Sequence, residues 1–482
     1  MTTLDATNDP TRTHSESTTT LEFEGRSAFG IDQWAYLPFD VPPEVHRIDV
    51  STSHDRFSLL GVARNVLDLG IFGPAGHDVG NSAGFRGWSG GARTRFSLST
   101  TDATPGYLSG PIDVGEWVLA LGPVVLNPLG MSWRAEVRLH HGPSPAATAA
   151  PDRVVAVSTP RGTGWYRGDL HVHTVHSDGR MDTGEVVKSA IAAGLDFVVS
   201  TDHNTSSANR EWAGGVTDGL FVVAGEEVTT RHGHWLAVGL PPNGWVDWRY
   251  APRDNLFAAY AAEVQAHGGL VVAAHPSVPL PGSLWEFGYA GVDAVEVWNG
   301  KWNVDDEVSL RTWLRLLRSG RRVTAVGSSD SHGPHQPIGR PHTVVRAEGL
   351  SARALVDALR RGRCYLAGSS DVTVSLTCAV ADGTRLAGPG ETLHADHADT
   401  VTIRGVVEGA PDTTVAIISD TGCIARAHID GTGTGAVEWT GSAGDVRFAL
   451  IEVRKASRSR MRPMVALTNP VWLVRDVTRR TA

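Results

Sequence analysis

At 482 residues the chain exceeds what one hydrophobic core usually supports, so two or three domains are expected. An apolar share of 41% and a charged share of 20% are those of a globular protein, and no stretch approaches the roughly 20 apolar residues of a membrane helix, so no membrane partner is expected. A net charge of −9 and the lack of a long Lys/Arg tract argue against a stable nucleic-acid partner, and the arginines between 311 and 322 read as one solvated helix face.

Residues 1–20 are polar, lack the basic-then-apolar order of a secretory signal, and read as a disordered tail. From 21 to 142, short alternating runs such as Arg47-Ile-Asp-Val-Ser and Trp133-Arg-Ala-Glu-Val-Arg-Leu between Gly, Pro and Asp turns predict an N-terminal β-sandwich-like domain. The Pro/Ala-rich stretch that begins Gly142-Pro-Ser-Pro cannot sustain helix or ladder hydrogen bonds, which makes 143–163 a linker.

Between 164 and 368 strands and helices alternate, as crossover connections in a parallel sheet or barrel require. Asp182-Thr-Gly-Glu185 is a capping-box pattern that opens a helix ending near Gly194, just before the strand Phe197-Val-Val-Ser. Further strands are expected at 220–223, 235–239, 270–274, 294–297 and 323–326, with helices over 254–267, 304–319 and 351–362. Alternation of short β segments returns over 369–482 and predicts a C-terminal β domain, as in Val372-Thr-Val-Ser-Leu-Thr. Cys364, Cys378 and Cys423 are too few and too irregularly spaced for a disulfide framework, which suits a reducing, cytoplasmic setting.

The chemistry lies where histidines and acids fall at the ends of the expected strands. Asp169-Leu-His171-Val-His173 leads into Ser177-Asp178-Gly179, and Thr201-Asp202-His203-Asn204 follows the strand at 197. Gly225-Glu226-Glu227, Gly233-His234, His275-Pro276 and Ser329-Asp330-Ser-His332 complete the set. In a βα barrel such C-terminal strand ends converge on one rim. Side chains alternate along a strand, so His-x-His sends both imidazoles to one face, and Asp-x-His at 330 and 332 repeats the device with an oxygen and a nitrogen donor. Histidine and carboxylate shells without thiolates suit Zn, Mn or Fe. A single buried histidine is more often a hydrogen-bonded core residue, but six segments that each place a donor at a strand end argue for a shared metal site. His232, His267, His335 and His342 lack that support, His140-His141 reads as surface, and Met and Trp residues read as core or domain-interface packing. No nucleophile elbow, phosphate loop or dinucleotide fingerprint occurs in a suitable strand-turn-helix setting.

The order Asp-Leu-His-x-His-Thr, Ser-Asp-Gly, Ser-Thr-Asp-His, Gly-x-Glu, Gly-His, Ala-His-Pro and Ser-Asp-x-His resembles the motif series of the PHP (polymerase and histidinol phosphatase) phosphoesterases. Within that family the chain is most similar to the CehA/McbA-type metallohydrolases, through Gly164-Trp-Tyr-Arg-Gly-Asp-Leu-His and the flanking β regions. The resemblance implies an α/β fold, a distorted (β/α)7 barrel between N-terminal and C-terminal β-rich domains, holding two to three divalent ions (Zn, Mn or Fe). It implies a first ion on His171, His173, Glu227 and Asp330, a second on Glu227, His234 and His275, and a third on Asp178, His203 and His332. Either Glu226 or Glu227 supplies the bridging carboxylate, and the family spacing favours Glu227. Asp169 and Asp202 become candidates for orienting the ligating imidazoles.

Ions so held lower the pKa of a bound water and supply a metal-bound hydroxide, with no protein nucleophile. Arg231 or Arg340 would then grip non-bridging phosphoryl oxygens. The function expected is a metal-dependent hydrolase, a phosphatase or phosphodiesterase acting on a small-molecule phosphate ester or nucleotide. The alternatives are a carbamate or carboxyl-ester hydrolase of CehA/McbA type and a non-catalytic, metal-stabilised binding protein. Oligomeric state is not legible.

Overall fold

The structure, a computed structural model, describes residues 2–3, 11–15, 17–59, 63–143, 161–215, 220–241, 243–456 and 461–475. Most of the expected linker, 144–160, and residues 1, 4–10 and 16 of the expected tail lie outside the described residues. The fold is mixed α/β, mostly sheet with few helices.

Two five-stranded sheets form the N-terminal unit. Met131–His141 lies at the centre of one, antiparallel to both Thr18–Ser27 and Val45–His54, with alternate residues buried along its length. Gly115–Val124 plays the same part in the other, between Gln33–Val41 and Val66–Phe72. Leu21, Phe23, Ile48 and Val137 from the first sheet meet Leu37, Leu69, Ile71 and Trp117 from the second in one buried core. Thr11–Ser15 already pairs with Thr18–Ser27, so sheet structure begins inside the segment expected to be a tail.

In the central segment the elements fall close to expectation. The helix Thr183–Ala192 carries the Asp182/Glu185 capping box, Phe197–Ser200 is a fully buried strand, and Val304–Arg318 is capped by Asn303. A short helix, Ala208–Gly215, was not anticipated.

The regular alternation of a distorted (β/α)7 barrel is not shown by these strands. They divide between two sheets. One contains Phe221–Val223, Phe197–Ser200, Gly164–Val172, His342–Ala347 and Cys364–Ala367. The other runs Gly225–Thr230, Gly233–Val238, Leu270–Ala274, Ala294–Asn299 and Thr324–Ser328. The physical reason lies in a connection: only Arg231 and His232 separate Gly225–Thr230 from Gly233–Val238, and so short a link permits only an antiparallel hairpin. Isolated parallel bridges cross between the sheets at Val172–Ser331 and His203–Glu227. Both lie at or beside the expected ligand positions, so the seams bring those positions together.

Nor does the sheet stop at the expected boundary after 368. Cys364–Ala367 pairs with Met464–Thr468, which continues through Phe448–Lys455 and Thr413–Ser419 into an 11-stranded sheet. A four-stranded sheet built on Thr373–Val380 and Thr400–Glu408 covers this extension over a second core that includes Val374, Ile403, Ile417 and Ile451.

Tryptophans fill the junctions. Trp34 and Trp88 of the N-terminal unit, Trp235 and Trp248 of the central one, and Phe448 of the C-terminal one share a buried cluster. The Trp88 and Trp248 ring centroids are 4.4 Å apart. Among the described residues no helix is long and apolar enough to cross a membrane.

Candidate metal centre

His171 lies on the strand Gly164–Val172 and His173 one residue beyond it, and the two-residue spacing turns both fully buried rings the same way, with centroids 5.0 Å apart. Gly168 permits this strand to lie against Phe197, because a Cβ there would come within 2.1 Å of the Phe197 ring. The loop after His173 folds back to deliver Asp178. A Cβ at Gly179 would meet the His173 backbone at 2.6 Å, so only glycine allows the return. His203 follows Phe197–Ser200, His275 follows Leu270–Ala274, and Asp330 and His332 follow Thr324–Ser328. His275 and Asp330 have positive φ, 27° and 50°, a strained conformation for residues other than glycine that clusters at functional sites.

Glu227 is the hub. Its Oε2 lies 3.1 Å from His171 Nε2, 3.4 Å from His173 Nε2 and 2.8 Å from His203 Nδ1. Its Oε1 lies 3.0 Å from His234 Nδ1 and 3.2 Å from His275 Nε2. One fully buried carboxylate thus presents each oxygen to a different histidine group. Asp330 Oδ1 approaches His173 Nε2 at 3.0 Å and His171 Nε2 at 3.3 Å. At the outer edge Asp178 Oδ1 lies 3.3 Å from His332 Nε2 and 3.5 Å from His203 Nε2. All nine expected ligand positions are therefore brought together. The donor atoms of eight of them, all but Asp330, form overlapping sets suited to an ion: His171, His173 and Glu227; Glu227, His234 and His275; and His173, Asp178, His203 and His332. Side-chain exposure rises from zero at Glu227 to 29% at His332 and 44% at Asp178, so the cluster opens to solvent on that side.

A fourth set, His171, His275 and Glu296, was not anticipated. Glu296 Oε1 takes His171 Nδ1 at 3.2 Å, and its Oε2 accepts from the His275 backbone N–H at 2.8 Å. With its Nδ1 proton held there, His171 keeps the Nε2 lone pair for the cluster, the arrangement ligating histidines require. Attention to strand ends passes over Glu296, which lies within Ala294–Asn299. The available signal is an acid inside an otherwise apolar, buried strand.

The other expected residues divide. Asp202 accepts from Thr174 N, Thr174 Oγ1 and Ser177 Oγ, and Ser177 Oγ lies 3.4 Å from His173 Nδ1, so Asp202 reaches an imidazole through a hydroxyl. Asp169 instead organises backbone, accepting from His171 N, Ser329 N and Gly339 N, and orients no imidazole directly. Glu226 faces away, bonded to Val246 N, and burial holds its carboxyl well above the usual range. Arg231 is not available to a substrate: its guanidinium is committed to Asp68 at 2.5 Å and Gly122 O at 3.1 Å, over the Trp34 ring. Arg340 is exposed and lines a cavity beside the cluster.

Two features fit the cluster to metal. His171 Nε2 and Glu227 Oε2 are buried polar atoms without a well-formed hydrogen bond, 3.1 Å apart among the other donors. The donors are imidazole nitrogens and carboxylate oxygens without thiolates, a set that suits a divalent ion. Burial disfavours charge on these groups, but Glu227 and Asp178 hold the His203 imidazole up to about 10. Burial and the nearby His332 and His203 push His173 down to about 4. Glu227 and Asp330, despite burial, are held well below the carboxylate range by His203 and His171.

In the metal-free protein, then, protons on histidines balance the carboxylates, and an ion must displace them. Metal affinity should fall as pH is lowered between about 8 and 6, by about tenfold per unit for each proton displaced. Metal titrations across that range check this, and an affinity independent of pH would contradict it. Glu296→Gln removes the anchor of the His171 Nδ1 proton and should weaken metal binding by roughly 10–100-fold, read by competition with a chelating dye.

No family model matches this chain, and no curated protein matches it. Among solved structures it is similar to a two-domain protein from Bacteroides vulgatus containing a predicted PHP-like metal-dependent phosphoesterase. That pair shares 18% identity over 66% of this chain and 98% of the other, with a TM-score of 0.36. An amidohydrolase from Chromobacterium violaceum is similar at 20% identity over 36% of this chain and 89% of the other, with a TM-score of 0.28.

Proposed function

We propose that this chain is a metal-dependent hydrolase of PHP type that uses two to three divalent ions to cleave small phosphate esters. The observation that carries the reading is Glu227, whose two oxygens each face a separate group of histidines within a buried donor cluster. Divalent ions bound there would lower the pKa of water and neutralise charge that develops on the scissile group.

The chain's own residues supply the rest. Glu227, Asp330, Asp178 and the six histidines would hold the ions, and Glu296 and the Ser177–Asp202 pair hold the Nδ1 edges of His171 and His173. His332 Nδ1 is held by the Asp330 carbonyl at 2.9 Å, which leaves Nε2 facing Asp178 at the solvent-exposed edge.

The test is turnover of the metal-loaded protein on p-nitrophenyl phosphate and bis-p-nitrophenyl phosphate against 1-naphthyl acetate and 1-naphthyl N-methylcarbamate, with a chelator control. Chelator-sensitive release from the phosphates is the expected result. Release from the naphthyl substrates alone would replace it with a carboxyl-ester or carbamate hydrolase, and failure to bind metal would remove the catalytic reading.

A further inference from the structure

Beside the cluster lies a cavity of about 790 Å³ whose far wall belongs to the C-terminal unit. Its inner wall includes residues bonded directly to the cluster. Asn299 Nδ2 donates to Asp330 Oδ2 at 3.3 Å, and Gln336 Oε1 accepts from His332 N at 2.8 Å. Ser329, the residue before Asp330, also lines it.

The charge of the lining is one-sided. It holds Lys301, Arg340 and Lys455 and no Asp or Glu. The whole chain has three lysines, Lys188, Lys301 and Lys455, so two of them come from segments some 150 residues apart to one cavity. The protein carries a net charge of −9, and among the described residues no hydrogen bond or ion pair engages the Lys301, Arg340 or Lys455 side chain. Trp298 and Trp302 add an aromatic wall, their rings edge-on at 5.5 Å between centroids.

We infer that this cavity is an anion subsite that takes a second, negatively charged group of the substrate, a phosphate or carboxylate carried on the portion remote from the scissile bond. This rests on the hydrolase reading and narrows it to substrates with at least two anionic groups. Lysine ammonium groups suit such a group, because they act as compact point charges on flexible stems while a guanidinium adds a planar two-pronged contact. Anchoring a non-reacting part of the substrate here would hold its ester at the donor cluster, where orientation contributes to rate.

The test separates binding from turnover. Inorganic phosphate and malonate are titrated onto the chelator-treated full chain, by calorimetry and by tryptophan fluorescence, for the unaltered protein, His171→Ala, and the Lys301→Ala/Lys455→Ala pair. Saturable binding is expected in the unaltered protein and in His171→Ala alike, weakened about tenfold for each lysine removed, the size of one charge-assisted contact. Whether phosphate or malonate binds more tightly identifies the anionic group. Binding unchanged in the double-lysine variant, or lost in His171→Ala, would overturn the subsite. Because no turnover is read, failure of the hydrolase reading and failure of the subsite produce different results.

Discussion

Glu227→Gln is expected to leave the protein folded, nearly free of bound metal, and slower in turnover by at least about a thousandfold. Glutamine keeps the volume of a side chain that is fully buried, so packing around it is preserved. What disappears is the negative charge that faces His171, His173 and His203 through one oxygen and His234 and His275 through the other. Without it, five imidazoles would face an ion with no shared anion between them, and several kcal/mol of attraction to a divalent ion would be lost. Glu226→Gln is the control. That neighbour points away from the cluster to Val246 N, and burial holds it protonated, so the amide mimics its native state. Metal content by atomic absorption and turnover on an aryl phosphate should fall for the first substitution and stay near native for the second. Equal loss in both would remove Glu227 from the centre of the site.

The largest stability effect should come from Asp247→Ala, at about 3–5 kcal/mol. Arg249 and Asp247 form an ion pair in which neither side chain has solvent exposure, joined at 2.6 Å and 3.0 Å. Arg249 also donates to Tyr36 Oη and to the carbonyls of His77 and Asp78, and Asp247 accepts from Gly80 N, so the pair ties the central unit to the N-terminal sheets. Removal of Asp247 leaves a buried guanidinium without its counter-charge, whereas Asp247→Leu with Arg249→Met leaves neither charge. Denaturant unfolding should therefore show the double variant to be more stable than Asp247→Ala. If the single change costs no more than the double, burial of an unpaired charge is not the cause.

Local features were legible in the sequence because local physics sets them. The Asp182/Glu185 capping box, the buried run Phe197–Ser200 and the helix Val304–Arg318 follow from capping chemistry and hydrophobic period within a few residues. The grouping of His171 with His173, and the proximity of Asp330 to His332, follow from strand parity and from turns just past strand ends. Glu296 escaped because its role depends on which strand lies next to which: Ala294–Asn299 pairs with Leu270–Ala274, and that pairing places its carboxylate between His171 and His275.

The sequence by itself determined the donor types, their spacing and the choice of imidazole and carboxylate over thiolate, because these are written residue by residue. Tertiary structure alone decided that the strands form two sheets joined by isolated bridges, with one expected βα step replaced by a two-residue antiparallel hairpin. It alone decided that Arg231 is spent on Asp68 while Arg340 meets Lys301 and Lys455 in one cavity. Such placements depend on contacts between residues more than 100 positions apart, whose partners are selected by packing of whole sheets and not by any local pattern.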